Sequence, residues 1–172
     1  MSLKVSFSQL TEQLERLREE FLTLKRVGVD EQPPGLALAL QDAFADAMED
    51  ILALLGKATD AAHQADQCLS GGIDVNGVME ALIRCNEACN RAALRYWSAL
   101  NSGERISALM ELGRERGGEW EAWTRSIESG LSKCSEPMLG LNQAIFECWR
   151  EIGEAVLVAA ALGQGPSVKR NK

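Results

Sequence analysis

The amino-acid sequence predicts an all-α protein, an antiparallel up-and-down bundle of four long helices with an amphipathic helix added at the N-terminus. Three observations predict it. From Ala37 to Leu69, ten positions at alternating spacings of four and three carry nine apolar residues, the seam of a helix lying along other helices. Four further segments repeat that spacing, separated by glycine, proline or helix-cap signals. No segment alternates with strand period, and the four prolines, two of them adjacent, leave room for long helices.

The first helix is expected over residues 6–27, with the Ser6 hydroxyl as cap and Gln9 reaching back in a capping box. Phe7, Leu10, Leu14, Leu17, Phe21 and Leu24 form its apolar stripe. This helix is either a fifth member of the bundle or a dimer interface. Residues 28–35 contain Pro33 and Pro34 and read as a loop. The seam helix follows over 36–69, with an acidic outer side of Asp42, Asp46, Glu49, Asp50 and Asp60. Its N-terminal half is bulky (Phe44, Met48, Ile51, Leu55). Its C-terminal half is Ala58, Ala62 and Ala65, which calls for large side chains from a neighbour, and the tryptophans are the expected suppliers.

Ser70-Gly71-Gly72 ends that helix, and Asp74 or Asn76 caps the next, over 74–101. One stripe of this helix holds Val78, Leu82, Cys85, Cys89, Ala92 and Tyr96. A second holds Met79, Ile83, Asn86, Asn90, Ala93 and Trp97. A break at Asn101–Glu104 leads to a helix over 103–131, in which Gly117-Gly118 is a point of kinking or splitting. Ser135-Glu136-Pro137 has the form of a helix start, with serine as cap and proline in the first turn, and the last helix is expected over 136–162. Residues 1–163 then make a single domain, and 164–172 a disordered basic tail.

Composition narrows the function. With 172 residues, 46% of them hydrophobic, the chain can bury one continuous core. A formal charge of −7 argues against a nucleic-acid binder, which needs a basic surface for phosphate. The longest apolar run, Ala155 to Leu162, is far below the ~20 residues that span a bilayer, so no stable membrane insertion is expected. Five cysteines, an odd number spread through helices, and an N-terminus without a signal-peptide core point to free thiols in the cytoplasm.

Few side chains suggest chemistry. His63 is the only histidine. Asp60-x-x-His63 has the spacing of one half of a di-iron site, but the second histidine that such a site needs does not exist. Cys85-x-x-x-Cys89 puts two thiols on one helical face, where soft ligands could hold Cu(I) or zinc, with Cys148 approaching from another helix. Core packing is the plainer account, because a buried thiol behaves as a small hydrophobe. Trp120 and Trp123 share a face and suit either core filling or a partner anchor. Asn86, Asn90 and Asn142 interrupt apolar stripes, and with Trp97 they could line a ligand pocket or fix helix register. No phosphate loop, dinucleotide fingerprint or nucleophile–base pair is present.

The sequence thus points to a non-enzymatic protein–protein interaction module (an adaptor, regulator or assembly subunit) without cofactor. Trp120, Trp123, Asp46 and Asp50 are the partner-binding candidates, and self-association as a homodimer is expected. The alternative is a bundle that binds a small ligand at Asn86, Asn90, Asn142 and Trp97, or a soft metal at Cys85, Cys89 and Cys148.

Overall fold

Each apolar stripe of the sequence becomes a helix in the computed structural model, which describes residues 3–35, 38–70, 74–101 and 104–161. Helix α1 spans Leu3–Lys25, α2 Leu38–Ser70, α3 Val75–Asn101, α4 Glu104–Arg116 and α5 Gly118–Ala161. Four of these are long, and α4, at 13 residues, is a short insertion between α3 and α5. The tail at 164–172 and the glycine breaks at Gly71-Gly72 and Gly103 lie outside the described residues.

Cross-helix pairs fix an up-down-up-down order. Lys25 meets Glu49 at 2.8 Å and His63 meets Glu15 at 3.3 Å, so α2 runs antiparallel to α1. Arg84 donates to Gln64 and Arg95 to Asp50, each at 2.9 Å, so α3 runs antiparallel to α2. The Tyr96 hydroxyl donates to the Leu131 carbonyl at 2.7 Å near the end of α3, while Cys148 lies beside Cys85 nearer its start. That sets α5 antiparallel to α3. Helix α5 also flanks α1, which closes the ring α1–α2–α3–α5, and α4 folds back on the first turns of α5.

Helix α1 is an integral member of this ring. Phe7, Leu10, Leu14, Leu17 and Phe21 are fully buried, so its apolar stripe is spent inside the bundle and cannot also serve as a dimer interface. Ser6 is buried in its second turn and is not an N-cap, because nothing before it breaks a helix and α1 already begins at Leu3. After Lys25 the backbone widens into a π-turn over Arg26–Asp30, closed by Glu31 N–H on the Arg26 carbonyl at 3.2 Å. At α3, Asp74 acts as the cap, its carboxylate accepting from Gly77 N–H at 3.1 Å.

Of the two boundaries marked in the sequence within the last two helices, one is present and one is not. The chain splits at Gly117, where left-handed φ values of 66° at Gly117 and 58° at Gly118 end α4 and start α5. Gly113 is instead a close-approach position, since a Cβ there would sit 2.2 Å from Thr124 Cγ2. The second boundary, at Ser135-Glu136-Pro137, does not exist, and Pro137 lies inside α5. An interior proline costs about 3 kcal/mol. Cys134, Met138 and Leu141 around it are buried, at about 1.5–3 kcal/mol for each large side chain, and Gly140, three residues on, stays helical and makes no turn. Burial therefore carries the helix through.

The alanine half of α2 is filled differently from the sequence expectation. The register set by Arg84–Gln64 and Arg95–Asp50 puts Ala58, Ala61, Ala62 and Ala65 at the levels of Ala81, Cys85 and Ala88 of α3, all of them buried. Small residues on both sides let α2 and α3 approach closely, and their contact is the most extensive in the fold. The opposite flank of this half takes Leu10, Leu14 and Leu17 of α1. The tryptophans sit elsewhere.

Candidate functional site

Of the partner-binding residues expected from the sequence, Trp120 and Trp123 touch each other on α5, while Asp46 and Asp50 lie on α2. Trp123 is buried, and its indole N–H donates to the Val27 carbonyl at 2.7 Å, tying α5 to the π-turn after α1. A side chain locked there cannot anchor a partner, and Trp123 is withdrawn from the candidates. Trp120 packs edge-on against it, with centroids 5.9 Å apart, and the Arg116 guanidinium lies 4.6 Å from the Trp120 ring. It is half-buried and already occupied by a cation.

Asp46 and Asp50 are exposed, and two of the acidic residues on this side of α2 face internal cations. Asp50 pairs with Arg95 and Glu49 with Lys25. A shallow cleft of ≈ 350 Å³ along the α2–α3 seam is lined by Lys57, Arg84 and Arg91 as well as Asp60 and Glu87. Its charges are mixed, so it presents no single sign to a partner.

Four of the five thiols belong to the core. Cys85, Cys89, Cys134 and Cys148 are buried free cysteines, and Cys68 is half-buried. Cys85 is held far above the ordinary thiol range by the adjacent Cys89 thiol and by burial. Cys148 is pushed up to about 12, first by burial and then by Cys85, Glu151 and Glu147. These surroundings favour the protonated thiol, whereas a metal ligand must be the thiolate. Among the described residues no three His, Cys, Asp or Glu side chains converge as a metal-holding group. His63 is exposed and meets Glu15, away from the thiols.

The ligand-pocket candidates do share a place, but it is open. Asn90 and Asn142 are exposed, Asn86 and Trp97 half-buried, and Asn90 Nδ2 reaches Asn86 Oδ1 at 3.4 Å. On α3 they belong to the stripe Met79, Ile83, Asn86, Asn90, Ala93 and Trp97, which lies on the flank turned away from α2. On α5 a matching stripe steps by three and four through Leu139, Asn142, Phe146, Trp149 and Gly153, with Leu157 one turn further, on the flank turned away from α1.

The two flanks meet along the α3–α5 seam, the loosest side of the ring. The register set by Cys85–Cys148 and Tyr96–Leu131 puts Asn86 and Asn90 opposite the stretch 139–146. None of these stripe positions carries a charge. Several are large and exposed: Met79 at 37%, Ile83 at 52%, Leu139 at 59%, Phe146 at 60% and Leu157 at 72%. This is an outward-facing apolar surface with amides set into it, not an enclosed pocket. The α3 half is visible in the sequence as a second stripe. The α5 half is hidden there, because its three-four spacing is broken by Asn142 and Gly153 and runs beside the stronger core stripe.

Two other features complete the surface. A groove of ≈ 630 Å³ between α1 and α5 is lined by polar and charged residues such as Gln9, Arg16, Lys133 and Glu136, with Pro137 at its wall. Glu151 is buried beside the thiol region, with one carboxylate oxygen lacking a protein partner. No helix among the described residues is long and apolar enough to cross a membrane. Compared with known proteins, the chain matches no family model, no curated protein and no solved structure.

Proposed function

We propose that this protein is a non-catalytic interaction module that docks a protein partner on the α3–α5 face. The observation that carries the reading is the charge-free apolar strip on that face, with Ile83, Leu139, Phe146 and Leu157 more than half exposed. Contiguous apolar surface beyond a few hundred Å² on a monomer marks an interaction site. Asn86, Asn90 and Asn142 supply hydrogen-bonding groups that a docked surface must satisfy, which selects one register. Five free thiols support work in a reducing compartment such as the cytoplasm, and the charge of −7 supports a partner other than nucleic acid.

Charge insertion tests it. Ile83→Lys and Phe146→Lys alter exposed side chains, so the bundle should keep its helicity and melting temperature. Proteins cross-linked to the full chain in its own cells, a second copy included, are then quantified by mass spectrometry for the wild type and both variants. Partners recovered with the wild type should fall at least tenfold with either variant. An unchanged partner set, or none at all, refutes the docking role of this face.

A further inference from the structure

We infer, resting on the docking role proposed above, that the occupant of the α3–α5 face is the same face of a second copy of this chain. Area is the first argument. The five exposed side chains Met79, Ile83, Leu139, Phe146 and Leu157 leave about 500–600 Å² of side chain in water, taking ~200 Å² for a large residue. A standard interface buries about 800 Å² per partner, of which about 60% is apolar. One face therefore holds the apolar area of one side of a stable dimer.

Charge is the second. A chain of net charge −7 repels its own copy through most of its surface. The α3–α5 face is where two copies can meet without bringing like charges together. A partner recognised through ion pairs would find nothing to pair with there. Pattern is the third. Each of α3 and α5 carries, beside its core stripe, a second stripe with the three-four spacing of helix-on-helix packing. Two antiparallel pairs laid face to face about a twofold axis form a four-helix layer in which both second stripes are buried. Asn86 and Asn90 of the two copies then sit among apolar side chains, where amides bond to one another and hold one alignment.

Sedimentation velocity of the full chain from 1 to 200 µM, with circular dichroism to verify folding, tests the inference. The wild type should sediment as a particle of twice 18.8 kDa. Phe146→Glu and Ile83→Glu should each weaken the dimer at least a hundredfold, to monomer over the same range, with helicity unchanged. Leu22→Glu, at an exposed leucine of α1 away from the face, should remain dimeric. A wild type that is monomeric throughout, or a dimer unaffected by both face variants, overturns the second-copy inference. Co-expression of two differently tagged chains separates this failure from that of the docking role. If cross-linking recovers another protein that is lost with Phe146→Glu but no second copy, the docking role survives alone. If neither is recovered, both fall.

Discussion

Gly28 lies where α1, α2 and α5 meet, and replacing it with alanine is a sharp test of the packing there. A Cβ at this position would lie 2.0 Å from Phe44 Cε1, 2.6 Å from Cζ and 2.8 Å from Cδ1. Phe44 is buried, so its ring cannot swing into solvent. Overpacking a filled core costs about 1–3 kcal/mol, while alanine in a helical turn gains up to about 1 kcal/mol over glycine. The net loss is about 1–2 kcal/mol. At about 2.1 cal/mol/K per residue, unfolding 172 residues carries an entropy near 0.36 kcal/mol/K, so each kcal/mol moves the melting temperature by about 3 °C. Gly28→Ala should therefore melt about 3–6 °C below the wild type by scanning calorimetry. Gly56→Ala, in α2 with nothing within 4 Å of the added carbon, should melt about 2–3 °C above it. Adding Phe44→Leu to Gly28→Ala makes room for the methyl group, so the double variant should lose less than the sum of the two singles. If Gly28→Ala is as stable as Gly56→Ala, the close approach of the π-turn to α2 is refuted.

Three further outcomes follow from the same geometry. Pro137→Ala restores an interior helical N–H to α5 and should raise stability by about 1–3 kcal/mol in denaturant titrations; a neutral or destabilising result would mean that proline starts a helix there. With a thiol-reactive chromophore at pH 8, Cys68 alone should react quickly, and Cys85, Cys89, Cys134 and Cys148 only after unfolding. Tyr96 is pushed from its ordinary 10.0 up to about 12, by burial first and then by Cys134, against a lowering hydrogen bond with Ser135. The folded chain thus holds the phenolic proton where the unfolded chain has lost it, so the stability contributed by Tyr96 is full below pH 10 and falls as pH rises through 10 to 12. Tyr96→Phe should cost about 1 kcal/mol at neutral pH through the lost bond to Leu131 and flatten the pH 10–12 slope. The slope that begins near pH 9 should remain, because Cys134 and Cys148 are displaced in the same direction. An unaltered slope would place the alkaline loss elsewhere.

Helix positions were legible in the sequence because a buried stripe leaves a three-four pattern at Phe7–Leu24, Phe44–Leu69 and Val78–Tyr96. Helix ends were less so. Ser135-Glu136-Pro137 has every local mark of a start, yet the decision belonged to Met138 and Leu141, whose burial depends on helices far away in sequence. Ser6 shows the same limit on a smaller scale. The candidate site was half legible. Asn86, Asn90 and Trp97 could be placed on one flank of α3, but whether that flank was pocket, core or surface turned on which helix lay beside it. Trp123 fell on the other side of the same question, since its partner, the Val27 carbonyl, is set by a π-turn that no residue pattern announces.

The alanine-lined contact between α2 and α3 also bears on how the chain assembles. These helices adjoin in sequence, so bringing them together closes the shortest loop in the ring. The α1–α5 contact joins segments more than a hundred residues apart. Closure entropy rises with the length of chain enclosed, and non-local contacts slow folding. Small side chains that lose little rotamer freedom when packed make the α2–α3 hairpin cheaper still to order. That hairpin is the least costly tertiary contact to form, and α5, which packs more closely on α1 than on α3, closes the ring across the longest stretch of chain.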